Sequence, residues 1–401
     1  MHMTYSISKE DICSYLVLYH SLDCFDNLTG ESGVKNYFNR IGSVQYDPLN
    51  ITGRNPDLVF QSRIKGFTQD ILEKLLYKDR FLIDGFDKEM SIYKTDDWLY
   101  FNRIRRCMDE NHKRMLEHRG QTEVLSFTRQ VLDEIKARGP LGSKDIDLGK
   151  CKSNRWGHKK IAGAALDYLF SIGKLGIYEK KNAIKIYDLI ENILPQKILN
   201  AKEPFKNDND FFEWYVRRRI GSIGIHWLRN GLGWNGYYIN DKNIRTKTIK
   251  ALEKKGIIKK VSIPEINEDF YLRPEDMDIL HKKPYYDNCI RILAPLDNML
   301  WDRLMVYKLF GFQYSWEVYL PAERRKYGYY VLPVLYQNKF IARMEPQKTE
   351  TGKPFSIKNW WWEPGISINS KMKSAIKNGF RAFTGYLKSD SIDKNMWKKI
   401  F

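Results

Sequence analysis

The chain has 401 residues, more than one ordinary hydrophobic core organises, so two to four compact units are expected. Its 67 Lys and Arg against 49 Asp and Glu leave a formal charge of +18, distributed along the chain and not confined to a tail. That balance points to a polyanionic partner, nucleic acid above all, with a basic surface kept for solubility as the alternative. No apolar run approaches bilayer length, and Met1-His2-Met3-Thr4-Tyr5 lacks a secretory pattern, so a cytoplasmic, nucleoid-associated protein without membrane contact is expected. Cys13, Cys24, Cys107, Cys151 and Cys289 are odd in number and scattered, which suggests reduced thiols and neither a disulfide framework nor a zinc site.

In chain order, Ile7 to Leu22 reads as an amphipathic helix, with Ser8 as N-cap and Ile12, Tyr15, Leu16 and Tyr19 on one face. A second helix, Val34 to Ile41, leads into Val44-Gln45-Tyr46-Asp47-Pro48. In extended backbone, Gln45 and Asp47 share one face while Val44 and Tyr46 take the other, and Pro48 keeps Asp47 out of the helical region. On spacing alone the pair reads either as a site or as the solvated edge of a strand. Thr68 to Leu76 is helical again, and Arg80 to Tyr93 reads as two strands turning at Asp84-Gly85. Trp98 to His118 is a basic helix carrying Arg103, Arg105, Arg106, Lys113 and Arg114, suited either to tracking phosphates or to a solvated face.

From Ser126 the order is a helix through Val131 and Ile135, a break at Gly139 to Gly142, a short helix Ser143 to Ile146, and a helix Lys159 to Ile172. A hairpin follows, with strands Lys174 to Tyr178 and Ala183 to Asp188. Helices followed by a β-hairpin is the order of a winged helix. After the polar linker Asn200 to Asp210 it recurs: a helix Phe211 to Leu228, a short one near Asp241, another from Lys247 to Lys255, then strands Ile257 to Ile263 and Phe270 to Arg273. Beyond Pro284, aromatic and β-branched runs read as short strands: Cys289 to Leu293, Tyr314 to Leu320, Gly328 to Leu335, Lys339 to Arg343 and Ile357 to Trp362. A helix Lys371 to Leu387 closes the chain.

The expected fold class is therefore α+β, with tandem winged-helix domains, a C-terminal β-barrel-like domain and a terminal helix. Its boundaries fall at 1-120, 121-199, 200-284 and 285-401, the first segment carrying the Gln-x-Asp pair as a degenerate copy. No phosphate-binding loop, dinucleotide fingerprint or Gly-x-Ser-x-Gly elbow is present, and His112, His118, His158, His226 and His281 have no metal spacing, so no metal or other cofactor is expected.

Two stretches taken together, Ile41-Gly42-Ser43-Val44-Gln45-Tyr46-Asp47-Pro48-Leu49-Asn50 and Leu293-Ala294-Pro295-Leu296-Asp297-Asn298-Met299-Leu300-Trp301-Asp302-Arg303, resemble the YcaQ/AlkZ-type crosslink-repair DNA glycosylases. Leu309 to Phe312, Tyr319 to Ala322, Arg325 to Pro333 and Trp362 to Gly365 extend the likeness in order. The resemblance implies tandem winged helices closed by a barrel, and hydrolytic removal of N7-alkylated purines, crosslinked ones included, from double-stranded DNA by a monomer. Within that family a Gln-x-Gln or Gln-x-Asp pair carries the chemistry, which assigns catalysis here to Gln45 and Asp47. Arg54, Arg63, Arg103, Arg105, Arg106 and Arg325 are the candidate DNA contacts. On repeat and charge alone, a winged-helix transcriptional regulator without catalysis is the alternative. The Trp360-Trp361-Trp362 triplet is expected to pack within the barrel.

Overall fold

A computed structural model describes residues 5–151, 159–181, 184–348, 353–389 and 391–401. Met1 to Thr4, His158, Asn182 and Ala183 lie outside the described residues. The fold is mixed α+β, and the chain divides into two compact units, Met1–Leu72 with Phe212–Phe401, and Glu73–Phe211.

The larger unit begins with helix Lys9–Tyr19, whose Ser8 hydroxyl accepts from the Asp11 amide at 3.1 Å, as an N-cap should. Helix Gly30–Ile41 ends at Gly42, where φ of +78° turns the chain into strand Ser43–Gln45. Helix Asn55–Gln61 then carries Pro56 in its first turn. In the second half of this unit, helix Lys242–Lys254 is one continuous element, not a short helix and a longer one. The carboxylate of Asp241 accepts from the amides of Asn243 and Ile244 and so starts it earlier.

One four-stranded sheet joins Tyr5–Ser6, parallel, to Lys259–Ile263, which pairs antiparallel with Ile266–Leu272 and through it with His226–Trp227. A second, wholly antiparallel sheet runs Arg291–Ile292, Leu332–Tyr336, Lys339–Pro346, Ile357–Trp362. Helix Ser370–Tyr386 packs on it through Ile376, Phe380 and Phe383, all buried. The tryptophan triplet does pack: Trp360 lies 6.0 Å from Phe380, Trp361 meets Tyr327 edge-on, and the Trp362 indole donates to the Ile400 carbonyl. Tyr314 to Leu320, expected as a strand, is a loop, because Tyr314 donates to Val331 O and ties the base of an excursion instead of entering a ladder.

In the smaller unit, strands Leu82–Phe86 and Met90–Lys94 form a hairpin that turns at Asp87 to Glu89. Asp84-Gly85, expected at the turn, sits inside the first strand. Asp84 is there to pair with buried Lys180, and Gly85 leaves room for the Tyr93 ring, whose hydroxyl a Cβ would approach to 2.3 Å. Helix Asn102–Arg119 follows, then Thr128–Arg138 and Ile161–Ser171, packed around Val124, Val131, Ile135, Leu166 and Leu169. Ser143 to Ile146 forms a turn and not a helix, since Asp145 folds back to accept from the Gly142 amide at 2.8 Å. Strands Leu175–Lys181 and Ile184–Leu189 complete a sheet with Leu141–Gly142.

Candidate active site

The segment from Ile41 to Gln45 is held by side chains at almost every carbonyl. Ser222 Oγ donates to Ile41 O at 2.7 Å, Arg218 Nη2 to Gly42 O at 2.9 Å, Asn298 Nδ2 to Ser43 O at 2.9 Å, and Asn55 Nδ2 to Gln45 O at 2.7 Å. Asn298 also donates to Ser222 O, and the Asn55 carbonyl accepts from the Leu296 amide at 3.0 Å. Ser222, Asn298 and Asn55 are all buried, so each bond forms away from competing water. Glycine suits position 42 because its φ of +78° is one that other residues rarely adopt, and a Cβ there would also press on the Arg218 guanidinium.

These contacts bring together the two stretches that carry the family resemblance. Asp297, between them, accepts from the Met299 amide through Oδ1 and from Arg63 Nη2 at 2.5 Å through Oδ2, and both partners of that ion pair are fully buried. Asn298 and Asp297 fall within a stretch singled out from sequence, but their structural role carried no signal. Asn55, Arg218 and Ser222 were not identified at all, since Arg218 and Ser222 act on carbonyls 176 and 181 residues away and Asn55 also holds the Leu296 amide 241 residues away.

The strand ends at Gln45, so Asp47 lies just beyond it. The expected alternation of faces is lost: Val44, Gln45 and Tyr46 are all buried because protein covers both sides. Gln45 is 8% exposed, whereas Asp47 is only half-buried. Asp47 Oδ1 accepts from the Leu49 amide at 2.8 Å across Pro48, an Asx turn that orients the carboxylate. Among the described residues Oδ2 takes no hydrogen bond. Burial raises the Asp47 pKa above its ordinary value, and the Leu49 amide offsets only part of that. Gly53, at φ of +130°, lets the chain pass the Tyr386 hydroxyl, and a cleft of about 280 Å³ opens here, lined by Asn50 to Gly53, Gln69, Lys348, Tyr386 and Lys388.

The candidate DNA-contacting arginines have different fates. Arg63 is fully buried between Asp297 and the Tyr37 hydroxyl, so it is a structural ion-pair partner and not a phosphate ligand. Arg105 is likewise corrected. It is 8% exposed, its guanidinium carbon lies 3.5 Å from the Trp98 ring centroid, and it donates to Trp98 O and Asn102 Oδ1. Desolvation lowers its pKa to about 10. Arg54 is bidentate on buried Asp57, and Arg103 lies between Glu203 and Asp208. Arg106 is 64% exposed while touching Glu203, and Arg325 is half-buried against the Tyr329 ring. Of the histidines, His226 is buried and stacked on Trp234, where desolvation lowers its pKa well below the usual range, and His112 Nδ1 meets the Ser171 hydroxyl.

A solved structure with the same architecture is that of Streptomyces sahachiroi DNA glycosylase AlkZ, with a TM-score of 0.65 over 97% of this chain and 99% of that one, at 12% identity. At that identity the likeness speaks for the fold. A family model described as DNA glycosylase AlkZ-like matches residues 38–383, a span that includes Gln45, Asp47, Asn55 and Asn298. The chain belongs to the AlkZ-like DNA glycosylase family and is a DNA-repair enzyme that hydrolyses N-glycosyl bonds in DNA.

Proposed function

We propose that the enzyme releases N7-alkylated purines from duplex DNA and unhooks interstrand crosslinks made through them, with Gln45 and Asp47 as the reacting pair. A purine alkylated at N7 is cationic and leaves without much help from a general acid. The demand falls on the sugar, which becomes oxocarbenium-like as the bond breaks. An under-solvated carboxylate attracts that charge more strongly than one in water, and Asp47 Oδ2 is the oxygen for it. The same carboxylate takes a proton from the attacking water. Gln45, with one acceptor and two donors, orients that water or the sugar. Neither residue is an amine, so the reaction stops at the abasic site without strand cleavage.

The observation that carries this reading is a half-buried carboxylate with a raised pKa, next to a strand fixed by four side-chain donors. Such fixing holds a reacting group in place without reorganisation during the reaction. A base tied to the opposite strand cannot be swung into a closed pocket, which favours an open site. Within this reading the modules are tandem winged helices, with a barrel from residue 285 onward. The protein acts as a monomer, and Arg106 and Arg325 take the phosphates; Arg54 and Arg103 join them only by exchanging carboxylate partners. The test is a duplex carrying a nitrogen-mustard crosslink, incubated with enzyme and then cleaved with alkali at abasic sites. Separation of the strands by wild type and not by Asp47→Asn is expected. An intact crosslink under conditions where wild type binds the duplex refutes the proposal.

A further inference from the structure

Past Asp47 the chain makes two tight turns in succession, each fixed by a side chain: Asp47 Oδ1 accepts from the Leu49 amide, and Asn50 Oδ1 accepts from the Gly53 amide at 2.9 Å. The second turn lines the cleft of about 280 Å³ that opens beside Gly53. Tyr386, Leu387 and Lys388, at the end of helix Ser370–Tyr386, line it too, with Lys348 and the segment Thr68 to Asp70. This lining offers donors. Tyr386 accepts from Gln69 Nε2 at 3.4 Å and donates to no acceptor among the described residues, while burial, and then the nearby Asp57 carboxylate, keep its phenol protonated. Thr52 is 2% exposed and its hydroxyl has no partner among the described residues, the kind of leftover that a water or a ligand satisfies. Lys348 and Lys388 are both exposed. The one carboxylate of the lining, Asp70, lies 3.7 Å from Lys388 Nζ, with most of both side chains in water. So loose a pair gives up its lysine to another anion at little cost.

A donor-lined cleft with two lysines suits an anion, and its place in the chain narrows which one. Asn50 follows Asp47 by three residues, a reach of about 11 Å at most. Successive phosphates of one DNA strand are about 3.4 Å apart along the helix axis. Tyr330, whose phenol is kept protonated first by burial and then by Tyr314, Asp47, Tyr386 and Asp57, stands within electrostatic range of both the carboxylate and the cleft wall. We propose that the cleft seats a backbone phosphate of the damaged strand, within about three nucleotides of the reacting sugar, with Lys348, Lys388 and the Tyr386 hydroxyl as its ligands. The proposal rests on the reading that Asp47 faces that sugar. An enzyme that cannot enclose a crosslinked base must hold its nucleotide by the backbone, and a phosphate gripped here sets the sugar against Asp47.

The test uses the full chain and duplexes carrying a tetrahydrofuran abasic analogue, so it needs no catalysis. A methylphosphonate, which removes the charge of one phosphate, is placed in turn at each position within about three nucleotides of the analogue on the same strand. At the seated position it is expected to weaken wild-type binding about tenfold, the scale of one lost hydrogen bond between charged partners. Lys348→Gln combined with Lys388→Gln should bind the unmodified duplex more weakly and lose the penalty at that position, because the seat then meets no charge. Tyr386→Phe should reduce the penalty. Lys308→Gln, at an exposed lysine that does not line the cleft, should keep it in full. No sensitive position with wild type, or a penalty undiminished in the double lysine variant, overturns the seat. A penalty that vanishes as expected while wild type releases no alkylated base would leave the seat standing and sink the proposed chemistry.

Discussion

Two cation-rich regions look alike in sequence and differ in kind. Apart from buried Arg105, helix Asn102–Arg119 wears its charge outside: Lys113 and Arg114 pair with Asp109 and Glu110 one turn earlier, and Arg106 reaches Glu203 with most of its side chain in water. The segment behind Gln45 and Asp47 turns its charge inward, with Arg63 on Asp297 at zero exposure and Arg54 on Asp57. A surface pair such as Lys113 with Asp109 contributes little to stability and can exchange its partner for a phosphate. A buried pair cannot, because breaking it strands a charge without water. Counting arginines therefore finds the partner's sign but not the residues that meet it.

The largest effect is expected where the inward region reaches solvent. Asp47→Asn should cut base release by about 10²-fold or more, in the range seen when a preorganised electrostatic group is lost. The same variant should melt no lower than wild type, because Asp47 is charged against a desolvation cost. Its folded pKa is raised, so its contribution to stability is present at low pH and is lost as pH rises from the ordinary carboxylate value through the shifted one. Activity should run the opposite way, rising with pH through that window as the carboxylate forms. A pH–rate profile beside a melting series checks both signs. An active Asp47→Asn, or one that unfolds, would give Asp47 a structural role.

Next comes the buried pair. Asp297→Ala should destabilise the fold by about 3–5 kcal/mol, since it strands Arg63 and removes the acceptor for the Met299 amide. Denaturant titration reads this directly. A change below about 1 kcal/mol would mean that Arg63 finds water or another acceptor, as a surface arginine would. Asn55→Ala should cost less, about 1–3 kcal/mol for the unpaired Gln45 carbonyl and Leu296 amide. It should lower kcat more than it raises KM, since the Gln45 backbone loosens without loss of the phosphate contacts. An equal change in both constants would argue against a positioning role.

These residues also show where reading the sequence stopped. Ser8 as a cap, the helix before Gly42, and strand Ile357–Trp362 were legible, because capping chemistry, glycine at a helix end and β-branched or aromatic runs act locally. The Asp84-Gly85 turn and the Ser143 helix failed where a distant or short-range partner claimed the side chain, Lys180 in one case and the Gly142 amide in the other. The Gln-x-Asp pair was visible only as spacing until it was joined to the stretch from Leu293. What joins them, Asn298 on Ser43 and Leu296 on Asn55, spans more than 200 residues and leaves no periodic trace.

The smallest effect, and the sharpest separation of the two regions, concerns salt. Arg106→Gln should leave stability within about 0.5 kcal/mol of wild type, because the Arg106 side chain is largely exposed and Glu203 keeps Arg103 at 2.8 Å. If Arg106 neutralises a phosphate, the slope of log affinity against log salt should shrink by about one contact, equally for damaged and undamaged duplex. Arg63→Met, measured only under conditions where it remains folded, should leave that slope unchanged, since a guanidinium with no exposure releases no counterion from DNA. A slope that falls for Arg63→Met and not for Arg106→Gln would reverse the assignment of inner and outer charge.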